Sequence, residues 1–144
     1  MKDNYTLIAE NTMGSAHYDS KKQILHFEFH GIIYPKLGYE VFDAVLEFTK
    51  THKVKGTFHE LGKLEGTFAM MNEYFYTVFF PPMIAQVLLC SAVVVSKDIF
   101  TQFAVESLIQ KMDDYVIQTF KNPEKGYEWV VNSIALEEHN QVPN

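Results

Sequence analysis

The chain has one cysteine and one tryptophan, and only 21% of its 144 residues are charged. A single thiol excludes an intramolecular disulfide. Cys90 also sits within the apolar stretch 83–95, where burial without a neighbouring cation raises a thiol pKa and leaves it a small core residue rather than a nucleophile. Basic residues are few: 12 Lys or Arg stand against 18 Asp or Glu, the formal net charge is −6, and the basic residues form no cluster. Nucleic acid and anionic membrane surfaces both bind through basic groups that displace counterions, so neither is an expected partner.

Catalytic signatures are missing as well. No Gly-x-Ser-x-Gly elbow occurs, no Cys–His context occurs, and Gly62 and Gly66 lack the Gly-Lys-Ser/Thr of a phosphate loop. The paired acids Asp113-Asp114 and Glu137-Glu138 fall at a helix end and in a polar tail, where solvated charge suffices. The expectation is therefore a protein with no catalytic residue and no cofactor. The opening Met1-Lys2-Asp3-Asn4-Tyr5-Thr6 carries an acid and no apolar core of signal-peptide length, which points to the cytoplasm. The uncharged window 78–95 is about as long as a minimal membrane span, but Pro81-Pro82 breaks it and the remainder is too short, so no span is expected.

What the chain has in quantity is apolar mass: 47% hydrophobic and 15% aromatic, with 12 Phe and 8 Tyr. One domain of this length buries roughly two thirds of its unfolded surface. The aromatic content exceeds what such a core needs, and the surplus belongs in a dimer interface or a ligand pocket.

Residues 15–19, the polar turn Asp19-Ser20-Lys21-Lys22 and the alternating run 24–31 predict a β-hairpin. Pro35 opens a helix whose Leu37, Val41, Val45 and Phe48 recur at helical spacing up to about Thr51. A strand over 54–61, a loop over 62–66 and a helix from Thr67 to Phe79, ended by Pro81-Pro82, follow. Residues 87–95 form a buried central strand. Ser96 and Asp98 cap the next helix, with Ile99, Phe100, Phe103, Ala104, Leu108 and Met112 on one face. Residues 115–120 give a last strand, and Asn122 with Pro123 caps a helix bearing Tyr127, Val130, Val131 and Ile134. The order β-β-α-β-α-β-α-β-α predicts a single-domain α/β fold, with a mixed, mostly parallel five-stranded sheet packed by about four helices. Its bounds are an extension over 1–13, the domain over 14–136 and a polar tail over 137–144.

Over residues 14–135 this pattern resembles the STAS-like family, small domains similar to bacterial anti-sigma-factor antagonists, and especially its stand-alone branch, which is compared with CRAL-TRIO lipid-binding domains. The resemblance rests on the hairpin closing in Phe29-His30-Gly31, the helix after Pro35, and the strand and Gly-containing loop after Val54. Ala92-Val-Val-Val-Ser-Lys-Asp-Ile-Phe100 and the closing Phe120-Lys-Asn-Pro-Glu-Lys-Gly-Tyr-Glu-Trp-Val130 carry its most specific part. It implies a non-enzymatic, regulatory protein that works by docking to partners. In some members a phosphorylated Ser or Thr at the start of the helix after the third strand controls docking, because a dianion there meets the positive end of the helix. In the corresponding stretch 61–68 the family's Asp-Ser pair is absent and Thr67 offers the only hydroxyl.

Two constellations carry further expectations. His26, Glu28 and His30 alternate with apolar residues and so share one face of a strand. His26 and His30 lie about 13 Å apart at about 3.3 Å per residue, so a metal would need one adjacent pair and a third ligand. His26, Glu28 and His59 are the weak candidates, set against a solvated sheet surface. In 68–83, Phe68, Met71, Phe75, Val78 and Phe79 are expected to face the sheet. That leaves Met70, Tyr74, Tyr76, Phe80 and Met83 as a surface for a homodimer or protein partner, as the gate of a small hydrophobic ligand, or as ordinary core.

Overall fold

The computed structural model describes residues 4–141. Six strands form one sheet in which spatial order follows chain order: β1 (Tyr5–Glu10), β2 (Gly14–Asp19), β3 (Ile24–Ile32), β4 (Gly56–Glu65), β5 (Cys90–Val94) and β6 (Val116–Phe120). The first two pairings are antiparallel and the other three parallel. Each parallel step is made through a helical connection, as parallel strands require. These are α1 (Pro35–Thr49), a composite helix over 69–86 and α4 (Ile99–Lys111), while α5 (Pro123–Gln141) closes the chain. The fold is thus mixed α/β with a mostly parallel sheet. The main core lies under α1, the composite helix and α4, and α5 packs Val130 and Ile134 on the other face against Ile24, Phe58 and Ala92. With a helical layer on each side, every residue of β5 is buried. Gly56 lets α5 approach β4, since a Cβ there would stand 2.6 Å from Val130 Cγ1.

The sheet has one strand more than expected, because residues 5–10 belong to it rather than to an extension. A register shift between Leu7 and Ala9 interrupts the alternation that marks a strand, leaving Leu7 exposed while Ile8 packs on the core. Pairing with β2 holds this segment, and Asp19 ties it down. The Asp19 carboxylate accepts Asn4 Nδ2 at 2.7 Å, the backbone N–H groups of Lys21 and Lys22 at 3.0 and 3.1 Å, and Tyr127 OH at 3.3 Å. Burial opposes its ionisation, but these hydrogen bonds together hold the carboxyl below its usual range. At the other end, residues 137–141 continue α5 instead of forming a tail, and Lys55 Nζ pairs with Glu138 Oε2 at 2.5 Å.

Three further boundaries differ from expectation. β4 runs on through Gly62 to Glu65 because β3 continues beside it, a register shift between Glu28 and His30 absorbing the mismatch. The prolines do not end the helix after β4. Its 3-10 turn (Ala69–Met71) passes into α2 (Asn72–Tyr74), a π-helical turn (Phe75–Phe79) and α3 (Phe80–Gln86). The wide turn precedes the prolines, and Pro81 and Pro82 fall in the first turn of α3, where the fixed proline φ fits the helix. Consequently β5 starts at Cys90, not at Val87.

Asp98 caps α4 as expected, its Oδ1 accepting Phe100 N at 2.9 Å and Thr101 N at 3.1 Å. The buried face of that helix is nevertheless rotated. Thr101 Oγ1 donates to Gly66 O at 2.5 Å and Gly66 N donates to Asp98 Oδ2 at 3.1 Å, which turns Thr101, Ala104, Val105 and Leu108 inward. Of the residues expected to share one face, Ala104, Leu108 and Met112 are buried, whereas Ile99, Phe100 and Phe103 stand 70%, 62% and 67% exposed.

Candidate functional site

Between the sheet and its helical layer lies a cavity of about 60 Å³. Phe29 and Leu61 line it from the strands, Phe42 from α1, Phe75 and Phe80 from the composite helix, and Val105 from α4. Period-two alternation in β4 turns Thr57, His59 and Leu61 to this side and Phe58 to the α5 side. Two polar side chains, His59 and Ser91, reach the lining.

These two belong to one hydrogen-bonded chain. His59 Nε2 lies 2.8 Å from Thr57 Oγ1, Thr57 Oγ1 is hydrogen-bonded to Ser91 Oγ, and Ser91 Oγ lies 2.7 Å from Tyr115 OH. The register places Thr57 opposite Ser91 across β4 and β5. The imidazole stacks flat on Phe27 at 4.7 Å and an interplanar angle of 2°. Burial, reinforced by the charge His26 would carry, pushes its pKa down to about 3, so His59 is neutral at ordinary pH. Burial likewise raises the Tyr115 phenol well above its usual value and the Cys90 thiol to about 11. A neutral imidazole backed by hydroxyls can donate or accept a hydrogen bond. Its side-chain partner is Thr57, and Ser91 Oγ is engaged by Thr57 and Tyr115.

The expected surface over the composite helix divides in two. Met70 is 58% exposed, and Tyr74 and Tyr76 are half-buried. Tyr74 OH donates to Asp43 Oδ1 at 2.5 Å and its ring meets Tyr39 at 4.8 Å; burial, then the Asp43 carboxylate, pushes the phenol up. Phe80 and Met83 are buried at 3% and 2% and present nothing to a partner; Phe80 instead lines the cavity. Val78, expected to face the sheet, points out, because the π turn shifts the helical phase between Phe75 and Phe79. Thr67 is exposed and its Oγ1 accepts Ala69 N at 3.0 Å, holding the first turn.

The metal candidates His26, Glu28 and His59 do not converge. The pairing sets His59 opposite Phe27, whose side chain faces the main core, whereas His26 lies opposite Phe58 on the α5 face. His26 is half-buried among Tyr5, Phe58 and Tyr127, and only Glu28 and His30 form the open surface expected there. Among the described residues, no group of three or more His, Cys, Asp or Glu is placed to hold a metal. No helix among them is long and apolar enough to cross a membrane.

Sequence reasoning missed the Thr57–Ser91–Tyr115 chain, which only strand register assembles; the one local signal was Thr57-x-His59 at strand period. It also missed the outer apolar surface of α4, where Ile99, Phe100 and Phe103 occupy adjoining turns while Val105 and Leu108 of the same helix line the cavity within. Compared with protein-family models, curated proteins and solved structures, the chain matches none.

Proposed function

We propose that the protein is a non-enzymatic docking domain of STAS-like type that pairs with a second copy of itself through the amino-terminal half of α4. The observation carrying this reading is the exposure of Ile99, Phe100 and Phe103 together. Apolar side chains so exposed on one helix start are characteristic of an interaction surface. Charge favours a second copy as the occupant: the chain is at −6, yet residues 99–105 bear no charge, so two copies can meet there without opposing like charges. Phe103→Asp is expected to convert a sedimenting dimer to a monomer with its circular dichroism unchanged, because the side chain holds no core position. A wild-type chain that sediments as a monomer at its highest soluble concentration would falsify the reading. Phe80→Glu is not an equivalent probe, since it would place a charge inside the core.

A second reading, carriage of a small hydrophobic ligand, is favoured by the cavity. Its cover is the composite helix, and π-helical turns recur at functional sites. Pro81 and Pro82 offer no N–H to the carbonyls one turn before them, which eases local movement of that cover. At about 60 Å³ the space is below the roughly 150 Å³ that accepts benzene in an engineered core, so entry requires the cover to shift outward. Native mass spectrometry of gently purified protein is expected to show added mass of one small molecule per chain; a clean apo spectrum counts against carriage.

A further inference from the structure

We propose that the cavity takes a small neutral molecule with an apolar body and a single hydroxyl or carbonyl group, held at His59 Nδ1 and backed through Thr57 by Ser91, and that it excludes the corresponding carboxylate. This rests on the ligand-carriage reading and adds the chemistry of the ligand.

The lining is apolar except for His59 and Ser91, and it contains no lysine. The whole chain contains no arginine. A carboxylate would therefore lose its hydration without meeting a cation. The imidazole does not supply the missing charge, because burial keeps it neutral down to about pH 3. A neutral polar group meets a different situation. His59 commits Nε2 to Thr57, and Nδ1 is its remaining hydrogen-bonding atom. The three hydroxyls can orient in either direction with the same oxygen and nitrogen positions. With Tyr115 donating to Ser91, Ser91 to Thr57 and Thr57 to Nε2, the ring carries its proton on Nδ1 and can donate to a carbonyl. With every donor reversed, Nε2 carries the proton and Nδ1 accepts from an alcohol. The chain thus adapts to either ligand without moving a heavy atom, whereas neither state offers a positive charge.

The test uses cyclopentanol, cyclopentanone, cyclopentane and cyclopentanecarboxylate, titrated into the full chain and followed by amide shifts of cavity residues such as Phe80 and Val105. The alcohol and the ketone are expected to bind about tenfold more tightly than cyclopentane, the worth of one hydrogen bond, and the carboxylate to show no binding. His59→Leu is expected to erase that advantage while cyclopentane still binds. Ser91→Ala serves as the second variant, expected to weaken the alcohol and ketone only. Equal binding of cyclopentane and the two polar probes overturns the proposal and leaves the carriage reading standing, as does carboxylate binding that matches the alcohol. If no neutral probe shifts the cavity residues, the carriage reading itself fails.

Discussion

Phe79→Ala is expected to lower the free energy of unfolding by about 3–5 kcal/mol, the usual cost of emptying a fully buried Phe site. Phe79 has no exposed surface and stands at the centre of an aromatic group. Its ring meets Phe42 at 4.9 Å, Phe80 at 5.1 Å, Phe27 at 5.9 Å and Phe75 at 6.3 Å, each near perpendicular. Edge-to-face pairs of this kind add to simple area burial. The position also joins the composite helix to α1 and β3, so a truncation there loosens three elements at once. Against a typical domain stability of about 5–15 kcal/mol the loss is a large share. Urea titration should show a lower midpoint with an unchanged slope. A shift worth less than about 1 kcal/mol would mean that the π-helical turn does not pack against the sheet.

The wild-type chain should also lose stability on the acid side more steeply than His59→Gln. An unfolded imidazole takes up its proton near pH 6.5, whereas the folded one, buried and repelled by the charge His26 would carry across the sheet, does so only at about 3. Between those values the unfolded state binds more protons, so stability rises with pH there. The contribution is complete above about 6.5 and falls away as the pH drops toward the folded value. One group titrating in this way gives a slope of up to about 1.4 kcal/mol per pH unit. Glutamine keeps a neutral polar group in place and removes the titration. Urea midpoints of the two proteins should therefore converge as the pH is lowered from neutral toward about pH 4. Parallel curves would show that the folded imidazole takes up its proton as readily as the unfolded one.

The features legible in the sequence are those determined by near neighbours. The recurrence of Val41, Val45 and Phe48 marked α1, the alternation of Leu25, Phe27 and Phe29 marked β3, and all but Phe48 of these are buried. Asp98 and Asn122 identified two helix starts because a capping side chain reaches only two or three residues ahead, and Lys125 N donates to Asn122 Oδ1 at 3.1 Å. The α/β class followed from the order of such segments. What lay beyond reach depends on partners far along the chain. β1 exists because β2 pairs with it, and β4 passes through Gly62 because β3 lies beside it. Pro81-Pro82 read locally as a stop, yet the packed helix accommodates them through a π turn. The rotation of α4 is decided by Thr101 and Asp98 bonding to Gly66 more than 30 residues away, and that rotation leaves Phe100 and Phe103 outside. The polar chain of the cavity joins Thr57, Ser91 and Tyr115 from separate elements. Periodicity and capping are set by neighbours in sequence and can be read there, but register, helix rotation and the convergence of polar groups are set by contacts that form only when the sheet closes.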